Sequence, residues 1–318
     1  MPKYRHALPQ LSDKMFLTDG GLETTLVFED GMDLPCFASF PLLRNEAGRE
    51  RLRRYYELYS GLARQSGVGF VLESIGWRAN RDWGAKLGYD AAALAEASRA
   101  SIDLLVPFRD RYDTVQTPMV ISGNIGPRGD GYVPGEKMSA AAAEAYHAPQ
   151  VRTYAGTEAD MVSGFTINYV EEAIGIARAA AGAGMPAVIS FTLETDGRLP
   201  SGQSLAEAIA QTDAEAGRAP AYYMINCAHP THFDRVVEAG GAWLDRIRGV
   251  RANASTRSHA ELDAATELDP GDPVDLGRRY AWLREAMPKL TVLGGCCGTD
   301  HRHVQAISRF CTPVGAAA

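Results

Sequence analysis

Met15-Phe16-Leu17-Thr18-Asp19-Gly20-Gly21-Leu22-Glu23 is the stretch on which the choice of fold turns. Its apolar run, 15–18, reads as a buried strand, and the Asp-Gly-Gly that follows reads as a sharp exit from the strand's carboxyl end. An open, doubly wound nucleotide-binding sheet would place Gly-x-Gly-x-x-Gly here, because its first turn must bring backbone amides against a pyrophosphate. That spacing is missing after this strand and after every later predicted strand.

Outward from this stretch the same unit recurs: a short apolar run, a polar or glycine-rich end, then a helical period. Further strands are predicted at 69–73, 119–122, 161–163, 187–191, 222–225, 246–251 and 291–293. Between them Leu52, Tyr55, Tyr56, Tyr59, Leu62 and Ala63 fall on one helical face, as do Val170, Ala173, Ile174 and Ala177. Thr231-His232-Phe233-Asp234 has the spacing of a capping box and marks the expected start of the sixth helix. Eight β/α units without a linker-like tract predict one domain over residues 1–318, a single (β/α)8 barrel of the TIM type. The connections 20–44, 123–138 and 252–273 are long for a compact domain. All three fall at the carboxyl face of the strands, where barrels build their sites.

Composition fits that frame. A chain of 318 residues, 46% hydrophobic, is large enough for one extensive core. The formal charge of −7 provides no counterion-release drive towards phosphate backbones, so nucleic acid is not an expected partner. No stretch of 18 apolar residues predicts a membrane span, and the basic residues near Met1 are not followed by a signal-peptide core. The cytoplasm is the expected location, and a homo-oligomer is compatible with the amphipathic barrel helices. Five cysteines, including an adjacent pair, form a poor disulfide framework for a reducing compartment, and metal or thiol chemistry is the better expectation.

Three of those cysteines converge. Cys227 follows the sixth predicted strand, while Cys296 and Cys297 follow the eighth inside Gly294-Gly295-Cys296-Cys297-Gly298. Parallel strands point their carboxyl ends the same way, so these thiols meet over the barrel mouth. Zn2+ favours thiolate ligands in a tetrahedron, and three protein ligands leave a fourth position for substrate. The flanking glycines permit the backbone to turn under one ion. A redox dithiol would ordinarily show Cys-x-x-Cys spacing, which is absent. A closed structural site completed by His229 is the non-catalytic alternative, a binding protein, although Pro230 fixes the chain beside it; His229, His301 and His303 read better as rim or capping residues. Cys36 and Cys311 read as ordinary core thiols.

Leu17-Thr18-Asp19-Gly20-Gly21, Gly123-Asn124-Ile125-Gly126-Pro127, Ile225-Asn226-Cys227 and Gly294-Gly295-Cys296-Cys297-Gly298-Thr299 span nearly the whole chain. Together they resemble the homocysteine S-methyltransferase family, which includes betaine-homocysteine and S-methylmethionine-homocysteine methyltransferases and the homocysteine domain of cobalamin-dependent methionine synthase. The resemblance implies a (β/α)8 barrel in which Cys227, Cys296 and Cys297 bind Zn2+ and the acceptor thiol enters as the fourth ligand. A free thiol with a pKa of about 8.5 is only a few per cent ionised at neutral pH, whereas a zinc-bound thiol is deprotonated. The same resemblance implies that Asp19, Gly20 and Gly21 hold the amino-acid part of a small-molecule thiol through backbone amides and the carboxylate. Homocysteine is then the acceptor and methionine the product.

One position departs from the family pattern. The fourth strand of family members ends in a Glu that binds the amino group of homocysteine, and Phe165 stands there in Ser163-Gly164-Phe165-Thr166. Losing a charge-assisted hydrogen bond costs about 1.5–3 kcal/mol, which opens the alternative of another thiol acceptor or a corrinoid partner protein. Glu73 or Glu194 is expected to take over a charged contact with acceptor or donor. Asn124, Thr192 and Asn253 occupy other strand ends and are candidates for polar contacts. Onium methyl donors are recognised by aromatic faces, and Trp77 is the first candidate for that wall, followed by Trp83, Tyr132 and Tyr169. Arg78 would then have to point away from a cationic donor.

Overall fold

The computed structural model describes residues 1–312. Eight parallel strands close into a barrel in sequence order, with the eighth pairing back onto the first. They are β1 (Phe16–Leu17), β2 (Gly69–Glu73), β3 (Met119–Ile125), β4 (Met161–Ile167), β5 (Ala187–Thr192), β6 (Pro220–Asn226), β7 (Ile247–Ala252) and β8 (Val292–Gly295). Every predicted strand is present. β3 and β4 run further towards the carboxyl face than their apolar stretches suggested. The small polar residues there still join the backbone ladder, and the Ser122 and Ser163 hydroxyls hydrogen-bond each other at 2.7 Å.

Alternation along each strand separates two apolar regions. Phe16, Val71, Val120, Met161, Val188, Tyr222, Met224 and Val292 fill the barrel interior. Phe70, Leu72, Ile121, Val162, Ile189, Tyr223, Ile225 and Leu293 face the helices. The amino-terminal segment closes one end: Leu8 joins the interior cluster, and the Thr291 hydroxyl donates to the Gln10 carbonyl at 3.0 Å. Two residues beyond Val71, Met161 and Gly249 the same parity brings Glu73, Ser163 and Arg251 inward, with Phe165 above Ser163 and Asn226 above Met224. The chemistry of the mouth is thus set by strand periodicity.

The helix Glu46–Gln65 buries Leu52, Tyr55, Tyr56, Tyr59 and Ala63, with Leu62 half-buried, and Asn45 caps it by accepting from the Gly48 amide at 2.7 Å. Val170, Ala173, Ile174 and Ala177 are all buried on the helix Val170–Gly182. The sixth helix departs from expectation. It covers Asp234–Glu238 with Phe233 at its cap, and a 3-10 turn, Pro230–His232, precedes it. Pro230 favours a tight turn at once, and the Thr231 hydroxyl is engaged by His229 Nδ1 at 2.8 Å instead of capping the helix. No helix among the described residues is long and apolar enough to cross a membrane.

Candidate metal and substrate site

The end of β7 acts as a template for the three cysteines. The Cys227 amide donates to the Arg251 carbonyl at 3.1 Å, and the Cys296 amide donates to the Ala252 carbonyl at 2.8 Å. Strands on either side are thereby held at one height, and the sulfurs of Cys227, Cys296 and Cys297 all lie within 4.8 Å of one another. Two backbone features permit this convergence. Cys227 itself has φ 52°, and Gly298, at φ 78°, turns the chain directly after Cys297. Gly21 is required for a different reason: a Cβ there would strike the Cys296 carbonyl and the Thr24 hydroxyl.

The Cys227 and Cys296 sulfurs are in disulfide contact, with Cα atoms 5.5 Å apart, and Cys297 Sγ lies 3.9 Å from Cys227 Sγ. This corrects the expectation that the cysteines would not pair. Placing three sulfurs around one point also puts two of them within reach of each other, without Cys-x-x-Cys spacing. In their dithiol state the three residues fit a metal, because soft sulfur ligands from three directions leave one side facing a cavity. Burial pushes the Cys297 thiol up to about 11, so a divalent cation is the partner suited to drawing it into the thiolate form.

His229 does not join them. Its Nδ1 accepts from the Thr231 amide at 3.3 Å and caps the following turn, and burial lowers its pKa to about 4. The metal-competent cluster among the described residues consists of the three cysteines. His303 likewise serves as a helix-cap partner, accepting from the Asp300 amide at 3.1 Å, while His301 begins that helix on the surface. Cys311 is buried in the core, as expected. Cys36 is not: it sits half-buried at φ 58° on the turn Pro35–Phe37 and lines the cavity, because that turn crosses the barrel mouth rather than packing beneath it.

The cavity in front of the sulfurs measures about 520 Å³, in the range of small-molecule sites. Asp19, Gly20, Gly21, Glu73, Trp77, Asn124 and Phe165 all line it. The Gly21 amide, however, already donates to the Thr299 carbonyl at 2.9 Å. Asp19 is buried and in ionic contact with Arg251 Nη2 at 2.7 Å, and the Tyr55 hydroxyl donates to its other oxygen at 3.1 Å. Burial still raises the Asp19 pKa, with Arg251 opposing. Arg251 also donates to the Gly295 and Gly20 carbonyls and has its guanidinium carbon 5.1 Å from the Phe165 ring centroid.

Glu73 is 4% exposed and burial raises its pKa to about 7, while Arg251 pulls the other way. The Ser163 hydroxyl donates to its Oε1 at 3.2 Å, and its Oε2 has no protein partner. Asn124 Oδ1, also buried, is likewise unpartnered. Tyr132 lines the cavity, its hydroxyl 3.7 Å from Cys297 Sγ and its ring stacked on His259 at 4.1 Å. Trp83 lines it too, whereas Tyr169 lines an adjacent hollow. Thr192, Asn253 and Glu194 lie outside it. The Thr192 hydroxyl faces the Cys227 carbonyl at 3.5 Å, Asn253 is buried with both side-chain ends unpartnered, and Glu194 meets His259 Nδ1 at 3.4 Å.

Sequence reading missed Arg251 and His259. Arg251 was detectable from parity, since an arginine two residues above the inward Gly249 must enter the barrel. His259 Nε2 holds the Cys227 carbonyl at 2.6 Å from a long connection, and no local signal points to that contact.

A profile of the homocysteine S-methyltransferase family matches residues 16–311. No curated protein matches the sequence significantly. Among solved structures, the oxidised form of the homocysteine methyltransferase MmuM from Escherichia coli aligns with a TM-score of 0.73 at 20% identity, covering 96% of this chain and 99% of that one. Its metallated form aligns with a TM-score of 0.71 at 20% identity, covering 96% and 98%. These likenesses establish the shared barrel, and the profile match supplies the kinship: the chain belongs to the homocysteine S-methyltransferase family and is a methyltransferase.

Proposed function

We propose that the protein transfers a methyl group from a small onium or otherwise activated donor to a zinc-bound thiol, with homocysteine as acceptor and methionine as product. The observation that carries this reading is the convergence of Cys227, Cys296 and Cys297 at the wall of a cavity large enough for both substrates. When bound, zinc supplies the charge that keeps an acceptor thiol deprotonated and nucleophilic at neutral pH. Family kinship and the thiolate donor set support zinc as the metal, and a reducing compartment such as the cytoplasm supports three available thiols.

The chain's own residues then bind and orient. Glu73 Oε2 and Asn124 Oδ1 are buried acceptors without protein donors on residues that both line the cavity, and such acceptors suit an ammonium group with three N–H bonds. Glu73 thereby takes the part that Phe165 cannot. Asp19, held by Arg251 and Tyr55, fixes the floor beside Gly20 and Gly21. The methyl group moves with its bonding carbon passing from the donor heteroatom to the acceptor sulfur, and the donor leaves with the electron pair of the broken bond. Phe37, Tyr132 and Leu262, from the connections after β1, β3 and β7, line the cavity and limit the room left for water beside the substrates.

The test is methionine formation by zinc-loaded protein from homocysteine and each of S-methylmethionine, S-adenosylmethionine, glycine betaine and dimethylsulfoniopropionate, with Cys297→Ala as control. Methionine from the intact protein alone supports the reading and names the donor. A second reading, an acceptor thiol without an α-ammonium group, is favoured by Phe165 packed beside the Arg251–Asp19 pair. No methionine with any donor, despite bound zinc, would replace the first reading with the second.

A further inference from the structure

Arg78 occupies the aromatic faces that a cationic donor would need. Its guanidinium carbon lies 4.0 Å from the ring centroid of Trp77 and 4.0 Å from that of Trp83. The arrangement is built in. Asn80 caps the helix Arg81–Lys86 by accepting from the Trp83 amide at 3.1 Å, which fixes Trp83 in the first turn of that helix, with Trp77 on the turn before it. Arg78 Nη1 and Trp83 Nε1 both donate to the Gly129 carbonyl, at 3.0 and 3.1 Å, and Trp77 Nε1 donates to the Phe165 carbonyl at 3.3 Å.

A cation already lying on both rings repels a second cation from the same faces. Arg78 lines the cavity, is 7% exposed, and its buried Nε has no hydrogen-bond partner. Asp130 and Glu23 act on Arg78 through their charge, and neither hydrogen-bonds it. Asp130 Oδ1 accepts from the Tyr132 and Val133 amides, and Glu23 Oε1 accepts from the Ser39 hydroxyl. A planar guanidinium has five N–H donors, and the described residues occupy only the Nη1 side.

Resting on the reading that this cavity takes an onium donor, we propose that Arg78 is a specificity-determining residue that receives a carboxylate of the methyl donor. The donor is then bound by its anionic end at Arg78, with its methyl group directed to the cysteine side. The Trp77–Trp83 pair acts as a clamp on Arg78 and not as the onium cage.

The test compares a matched pair of ligands, dimethylsulfonioacetate and trimethylsulfonium, by isothermal titration into zinc-loaded protein, where no turnover is required. Wild-type protein is expected to bind the carboxylate-bearing ligand about ten- to a hundredfold more tightly. Arg78→Met should bring that ratio near unity, and Arg78→Lys should retain part of it. Equal affinities in wild type, or an undiminished ratio in Arg78→Met, would overturn the proposal. The wild-type ratio needs no variant, so misfolding of Arg78→Met leaves the test intact. A carboxylate preference that depends on Arg78, found in protein that forms no methionine, would keep Arg78 as the carboxylate-binding residue and overturn homocysteine as the acceptor.

Discussion

The two sides of the cavity are built in opposite ways. On the side of β6 and β8, three identical ligand types converge through backbone geometry alone, held by amides that bond to the end of β7. On the side of β1, β2 and β4, unlike groups compensate one another: Asp19 meets Arg251, Arg251 lies over Phe165, and Glu73 retains an unpartnered oxygen. On the proposed metal reading, the contrast teaches that ligand chemistry would fix the cysteine half, since a non-ligand residue there takes away one of three thiolates. The substrate half can change charge partners as long as each buried charge finds another.

The most damaging change should fall on the cysteine side. Cys297→Ala is expected to lower bound zinc well below one equivalent, measured by mass spectrometry of the metal, and to reduce methyl transfer by more than about a hundredfold. Full zinc occupancy in this variant would dissolve the contrast between the two halves.

On the opposite side, Arg251→Met leaves Asp19 buried without its cation and should destabilise the fold by about 3–5 kcal/mol in urea unfolding. Adding Asp19→Asn should recover most of that loss. Additive losses from the two substitutions would show that the pair is not coupled.

Glu73→Gln sharpens the comparison through pH. A carboxyl raised to about 7 in the folded protein binds more protons than its unfolded counterpart between about pH 4 and 7. Its stabilising contribution is therefore present at low pH and is lost as pH rises through 7, by up to about 3 kcal/mol. Glu73→Gln should flatten that part of the stability profile. In kinetics it should raise the acceptor KM about tenfold with little change in kcat. It should also remove the fall in KM expected as Glu73 ionises. An unchanged KM would exclude Glu73 from acceptor binding.

The smallest effect is expected outside the cavity. Tyr169→Phe should change the donor KM by less than about twofold, because Tyr169 lines the neighbouring hollow and its hydroxyl serves the Met138 amide at 3.3 Å. A large change would extend the site beyond the cavity described.

Legibility followed the same division. β2 was read at its observed bounds because its apolar interior has a glycine at one end, against which Phe16 packs, and a charge at the other. The cysteine cluster was legible because strand ends in a parallel barrel share one height. The pairing of Cys227 with Cys296 was not, since contact between residues so distant in sequence depends on how β7 sets their backbones. Trp77 lines the cavity with the Arg78 guanidinium against its face, a contact that no local sequence pattern shows.

Hydrophobic periodicity and the positions of glycine and cysteine, by themselves, determined a closed eight-stranded barrel and three sulfurs at its mouth, because both follow from rules that act along single strands. Only the tertiary structure decided which buried charges meet: that Arg251 neutralises Asp19, that Glu73 stays open to the cavity, and that Arg78 lies between two tryptophans. Those outcomes depend on Coulomb and packing contacts between different strands and loops, which no local pattern encodes.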